Sequence, residues 1–230
     1  AVSSEQLKRM NEMRVLTIAM MSMSSVSGAI VGAYVQMVPG ELVLTAIPLN
    51  IVNAIIVSCL LNPVSVEEKE DIIDSLKNNE VERQPFFSFL GDSVLAAGKL
   101  VLIIIAFVIS FVALADLFDR FINLITGLIA GWIGIKGSFG LNQILGVFMY
   151  PFALLLGLPY DEAWLVAQQM AKKIVTNEFV VMGEISKDIA SYTPHHRAVI
   201  TTFLISFANF STIGMIIGTL KGIVDKKTSD

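Results

Sequence analysis

The sequence predicts an all-α integral membrane protein, built of interrupted transmembrane helices plus a re-entrant helical hairpin and organised as part of an inverted repeat. Three observations predict it. The 230 residues are 54% hydrophobic and only 16% charged, with a mean hydropathy of +0.71, whereas soluble domains carry about 25% charged residues. Most of the 16 glycines and 7 prolines fall inside apolar stretches, which is the pattern of broken helices and not of clean spans. Finally, Val175-Thr176-Asn177-Glu178-Phe179-Val180 sets a carboxylate between short apolar segments. An ionisable residue at membrane depth costs about 3 kcal/mol or more and by default marks a path or a binding site.

Charge and cysteine usage narrow the classes. A net charge of −4 with no basic block excludes nucleic acid as a partner. The single cysteine, Cys59, lies in an apolar run and reads as a small core residue, since alone it forms no internal disulfide and no cysteine-based zinc site.

Residues 1–14 form a polar lead-in with Lys8, Arg9 and Arg14. The first span, 15–37, is long enough to cross a core of about 30 Å. Its middle crowds Ser22, Ser24, Ser25, Ser27 and Gly28, and two readings stay open there. One is a small-residue packing face through the Gly28 and Gly32 pair. The other is an unwound turn whose carbonyls and hydroxyls face a substrate or ion. Pro39-Gly40 turns the chain into a second span, 42–61. There Asn50 and Asn53 are three apart and predict a face turned toward protein.

Residues 63–92 are a polar cytoplasmic connection with Glu67, Glu68, Glu70, Asp71, Asp74, Glu80 and Glu82. Ile72, Ile73 and Leu76 give part of it the spacing of a solvated surface helix. The stretch 93–142 holds an uninterrupted apolar scaffold helix over 94–115. Asp116, Asp119, Arg120 and Asn123 follow at helical spacing, predicting either an amphipathic interfacial helix or an extension of the span.

A hairpin is predicted over 143–185. Ile144–Leu158 is too short to cross, and Asp161-Glu162 suits the cap of a helix starting at Ala163. That helix reaches Thr176-Asn177-Glu178, the hairpin tip, and short apolar residues return from it. Pro194 suits a first helical turn. His195 and His196 beside it read as solvated interfacial histidines more readily than as a proton relay. The last span, 194–220, carries Phe207-Ala208-Asn209-Phe210-Ser211-Thr212 at its centre, polar groups that need partners at that depth.

Ser25, Gly28 and Gly32 recur with constant offset as Ser211, Gly214 and Gly218. Basic residues at the start and Lys221, Lys226 and Lys227 at the end place both termini inside, so the matching spans point in opposite directions. Oppositely oriented repeats of broken helices are the hallmark of secondary transporters. On this reading 1–62 are transport-domain helices of the first repeat, and 143–230 hold the hairpin and interrupted span of the second. The repeat also predicts a first hairpin before residue 1 and a closing helix after residue 230.

Asn177-Glu178-Phe179-Val180 and Phe207-Ala208-Asn209-Phe210-Ser211-Thr212-Ile213-Gly214, supported by Gly157-Leu158-Pro159 and Gly32-Ala33-Tyr34, resemble the concentrative nucleoside transporter family. The likeness is to its bacterial NupC type and covers essentially the whole chain, as the C-terminal part of such a transporter. Thr212 stands where the family often has Ser, keeping the hydroxyl. The family's Gln-Thr-Glu type of motif for the nucleobase does not occur in the 230 residues.

The resemblance implies a multi-pass protein of the bacterial inner (plasma) membrane, in the lipid bilayer as a homotrimer, that takes up a nucleoside substrate by symport. Glu178, Asn209 and Thr212 would face the ribose and Phe207 the base, with Asn177, Ser211 and Ile30 lining the site. Ser25 and the Val26 carbonyl would lie at the coupling-ion site. No cofactor or bound metal is implied, only a coupling cation: a proton carried by Glu178 or, alternatively, sodium. A fold-related gate domain without transport of its own has little use for the Glu178 and Asn209 pair. An intramembrane enzyme is disfavoured because the two histidines show no nucleophile or metal-ligand spacing.

Overall fold

The computed structural model describes residues 10–26, 28–65, 85–134 and 139–223, and they are helical almost throughout. The helices are α1 (Glu12–Ser22), α2 (Gly28–Tyr34), α3 (Gly40–Leu61), α4 (Phe86–Ile133), α5 (Leu141–Leu155), α6 (Tyr160–Val175), α7 (Glu178–Ile185), α8 (Pro194–Ile205) and α9 (Phe210–Ile223), with a 3-10 turn at Ile189–Ser191. The acidic connection around Glu67–Glu82, and Lys8, Arg9, Lys226 and Lys227, lie outside the described residues.

The serine-rich middle of the first span is a break between α1 and α2, so the helix is interrupted there. Serine and glycine are poor helix formers, and each serine hydroxyl can take a local carbonyl instead of a distant partner. Ser22 Oγ donates to Ala19 O at 2.7 Å, and Ser25 Oγ to Ser22 O at 2.9 Å. The competing packing face finds no occupant: a Cβ at Gly28 or Gly32 would meet no described atom within 4 Å.

α3 runs 22 residues with Pro48 inside it. Asn50 Nδ2 donates to Thr202 O at 3.1 Å, pinning α3 to α8. Asn53 is exposed, a correction to the shared face expected above. Three residues turn a helix by about 300°, leaving the two side chains roughly 60° apart, and the contact with α8 is narrower than that. At its end Asn62 Nδ2 donates to Met13 O at 2.7 Å and Thr17 Oγ1 at 2.9 Å, tying α3 to α1.

The apolar scaffold and the charged segment after it form one helix, α4, of 48 residues, about 72 Å long. The polar side chains of its second half have structural partners, which settles the choice in favour of an extension. Asp119 Oδ1 accepts from Leu141 N at 2.7 Å, and Thr126 Oγ1 accepts from Phe139 N at 3.0 Å. They fix the start of α5 against α4. Gly140, the N-cap of α5, sits in that clasp: a Cβ there would lie 2.5 Å from Asp119 Oδ1 and 2.9 Å from Asn123 Nδ2. Gly140→Ala is expected to destabilise by about 1–3 kcal/mol, read as a lower melting temperature with no change in helix content.

α5 packs along α6 through small residues. Ala153, Ala163 and Ala167 are fully buried, and Gly146 lets Gln168 approach to 3.0 Å of where a Cβ would be. α6 begins at Tyr160, three residues before the expected start. Asp161 and Glu162 therefore occupy its first turn and act on the helix dipole, not as caps, because Pro159 at N-cap already supplies the turn geometry.

Glu162 has a further use. Its Oε2 accepts from Thr193 Oγ1 at 2.9 Å and lies 3.7 Å from His196 Nδ1. His196 is 2% exposed and stacks on Tyr192 at 4.1 Å. It is therefore a packed core histidine, correcting the solvated reading; His195 alone is exposed, with Nε2 2.8 Å from Leu156 O.

Two stretches among the described residues, Gly40–Leu61 and Pro194–Gly218, are long and apolar enough to cross a membrane. Pro194 is at the start of α8, and the second stretch is interrupted between Ile205 and Phe210. The sequence repeat aligns the two breaks only to within one turn. The offset that superposes Ser25 on Ser211 would end the first half-helix at residue 208 and start the second at 214, against the observed Ile205 and Phe210.

Candidate functional site

Two chain breaks face each other in the protein's interior. α6 ends at Val175, and Thr176 and Asn177 adopt non-helical geometry. The chain then doubles back, since Lys172 Nζ reaches Glu184 Oε1 at 2.5 Å across the two arms, a pair a straight continuation would hold about 18 Å apart along the axis. The other break is Ser206–Asn209, between α8 and α9.

Each outgoing helix starts on an asparagine cap. Asn177 Oδ1 accepts from Val180 N at 3.0 Å, and Asn209 Oδ1 from Thr212 N at 2.8 Å. Both are the side-chain to third-amide bond that satisfies an orphan donor at a helix N-terminus. Capping thus restarts both helices and fixes the side chains next to the caps.

Glu178 is the first residue of α7 and is 1% exposed. Its Oε1 accepts from the Tyr34 hydroxyl at 2.9 Å and its Oε2 from Asn209 Nδ2 at 2.9 Å. One carboxylate therefore joins three elements: α2, the hairpin tip and the α8–α9 break. A carboxylate has about four acceptor positions, so these two bonds leave it further capacity. The helix N-terminus behind it favours negative charge.

Asn209 uses both ends of its amide, because Oδ1 also accepts from Thr212 Oγ1 at 3.1 Å. Asn177 Nδ2 and Ser211 Oγ are buried and make no hydrogen bond within the described residues.

Of the residues singled out in the sequence, Glu178, Asn209 and Thr212 form one hydrogen-bonded chain. Asn177 and Ser211 adjoin it, and Phe207 is half-buried in the break, its carbonyl 3.4 Å from Asn209 Nδ2. Val26 and Ile30 pack partly buried against the core cluster that contains Tyr34. Ser25 is not brought to the cluster: it is exposed and bonded within its own break.

Two residues of the cluster were not picked out from sequence. Tyr34 holds Glu178 and also packs on Phe179, with ring centroids 5.2 Å apart. Lys173, 1% exposed, donates to Ser206 Oγ and Ala208 O, both at 2.8 Å. The available signal for Lys173 was the Lys172-Lys173 pair between Ala171 and Ile174 in the approach to Glu178, which does not say which of the two turns inward. For Tyr34 it was a phenol closing an otherwise apolar half-helix.

Among the described residues no group of three or more His, Cys, Asp or Glu is placed to hold a metal ion. The cluster brings together a carboxylate acceptor, an amide and hydroxyls.

The chain is 45% identical over 229 residues to the purine nucleoside transport protein NupG of Bacillus subtilis, covering 100% of this chain and 55% of that protein. It is 27% identical to the human sodium/nucleoside cotransporter 1, covering 90% of this chain and 34% of that one. Among solved structures, CNTnw in an inward-facing substrate-bound state superposes with a TM-score of 0.76 at 26% identity, over 99% of this chain and 53% of that one. An outward-facing CNTnw variant gives 0.78 at 25% identity, over 99% and 54%. The chain thus spans about half the length of NupG and of these solved relatives, which are transporters and not enzymes. Residues 42–230 match the family model described as the Na+ dependent nucleoside transporter C-terminus, and the chain belongs to that family.

Proposed function

We propose that this chain provides the sugar-binding half of a cation-coupled nucleoside symporter, working as a trimer in the bacterial inner membrane with its hairpin re-entrant from the outer face. The observation that carries it is Glu178, buried yet bonded to both Tyr34 and Asn209 across two helix breaks. Broken helices that meet at mid-membrane are where secondary transporters bind substrate. A ribose diol offers two hydroxyl donors, which one carboxylate can accept together, and Asn209 and Thr212 extend the polar edge. The Tyr34 hydroxyl holds one carboxylate oxygen, and the sugar competes with it for that position. Asn177 Nδ2 and Ser211 Oγ are buried donors within the cluster's reach for further substrate oxygens. Phe207 would offer the base an apolar face, and Ile30, packed against the core cluster that contains Tyr34, would add apolar lining.

The coupling cation we assign is the proton, with Glu178 as its carrier; Ser25 is exposed and bonded within the first-span break. Sodium coupling is the second reading, favoured by the family description and by the name of the human relative. One elementary charge moved across 100 mV contributes about 2.3 kcal/mol, enough for well over a tenfold gradient. In cells or proteoliposomes containing the full-length protein, nucleoside uptake is expected to follow an imposed pH gradient in sodium-free medium. Uptake that follows sodium and ignores the pH gradient would replace the proton by sodium and leave the site intact.

A further inference from the structure

We infer that Lys173 is a tethered cation, its ammonium filling the cation position that the break between α8 and α9 creates. Where a helix ends inside a protein, its last carbonyls and the unwound residues after it present oxygens and the negative end of the helix dipole. Such breaks are where transporters of this architecture hold mobile cations. Here the oxygens are already taken. The Lys173 ammonium donates to Ser206 Oγ, at the C-cap of α8, and to Ala208 O in the break itself, both at 2.8 Å. Its remaining side faces the Phe203 ring, 4.9 Å from the centroid, a contact that stabilises a desolvated cation.

An ammonium has three donors and no acceptor, so two oxygens and an aromatic face satisfy it. That matters because an unpaired buried charge costs several kcal/mol. Lys173 is 1% exposed, and its long apolar stem comes from α6, so the charge is fixed to the hairpin arm while its ligands belong to the other break. The hairpin and the interrupted span are thereby clipped together one helical turn before Glu178. Glu178 lies within the electrostatic reach of this ammonium, which sets a positive charge on the hairpin arm that also carries the carboxylate. The consequence for coupling rests on the transport reading above: with the oxygens of this break occupied by a covalently held charge, the mobile cation binds elsewhere than on Ser206 Oγ and Ala208 O.

The test compares salts on the full-length detergent-solubilised protein. Lys173→Met removes the charge and keeps the length, leaving the break oxygens open to a free cation. In choline chloride the variant is expected to melt below the wild type. Replacing choline by ammonium chloride at equal ionic strength should raise its melting temperature at least about 3 °C more than it raises the wild type's. Adding Ser206→Ala to the variant should remove that gain. A variant that responds to ammonium no more than the wild type overturns the inference. Should Lys173→Met not fold in either salt, Ser206→Ala is compared with Ser206→Thr, which keeps the hydroxyl, since alanine takes one acceptor from the ammonium and also the donor to Phe203 O. A fall of about 2–4 °C from threonine to alanine supports the tether, and an unchanged melting temperature overturns it. Nucleoside binding by the same wild-type sample tests the transport reading separately, since the salt comparison needs no substrate.

Discussion

Glu178→Gln in the full-length protein is expected to weaken nucleoside binding about 10- to 100-fold and to abolish measurable uptake. The size follows from the hydrogen bonds at stake. A bond to a charged acceptor contributes about 1.5–3 kcal/mol, against about 1 for a neutral pair, and each 1.4 kcal/mol is a factor of ten in affinity. The substitution removes the charge and also turns one oxygen into an NH2 donor. Both present partners of Glu178 donate to it, the Tyr34 hydroxyl and Asn209 Nδ2, so a glutamine keeps its oxygen toward Asn209 only by turning its NH2 to Tyr34, whose hydroxyl must then accept instead of donate. Equilibrium binding of a radiolabelled nucleoside reads the first effect and uptake the second. Folding should survive, because glutamine is nearly isosteric and the Asn177 cap of α7 stays in place.

Asn209→Ala has the other large expected effect, and it has two parts. Removing Nδ2 deprives Glu178 Oε2 of its partner. Removing Oδ1 uncaps α9, where Thr212 N and Oγ1 both depend on it. Loss of an asparagine cap costs about 0.5–2 kcal/mol, and loss of a bond to a buried carboxylate about 1.5–3 kcal/mol. Affinity is expected to fall about tenfold or more, with a lower melting temperature. Asn209→Ser separates the parts. Serine caps nearly as well but is too short to reach Glu178, so stability should return while affinity stays low. Recovery of both would mean that the Glu178 contact contributes nothing to binding.

The helix breaks were legible in the sequence because their chemistry is local. Asn177 and Asn209 are cap residues placed just before apolar runs, and Glu178 is too costly to be filler. The serine cluster of the first span left its two readings balanced, since serine and glycine serve both close packing and unwinding. Only tertiary contacts decide between them, and no described atom approaches Gly28 or Gly32.

Long-range pairing was the part that composition could not give. Tyr34 reaches Glu178 across 144 residues and Lys173 reaches Ala208 across 35. Neither residue type announces a partner by spacing. Asn53 misled because helical periodicity gives a face but not the width of the neighbour that covers it, and His196 because a place at a helix entrance does not reveal that Tyr192 and Glu162 pack on it. The three-residue error at the start of α6 arose from treating Asp161-Glu162 as a cap, when acidic residues serve equally well in a first turn.

The sugar-binding role we propose for the Glu178, Asn209 and Tyr34 cluster is tested most directly by equilibrium binding of a radiolabelled nucleoside to the full-length protein. Wild type, Glu178→Gln and Asn209→Ala would be compared at one pH and one salt concentration. The expected result is saturable binding by the wild type and at least a tenfold loss in each variant, with both variants still folded. Wild-type affinity in both variants would contradict the assignment of this cluster as the substrate site.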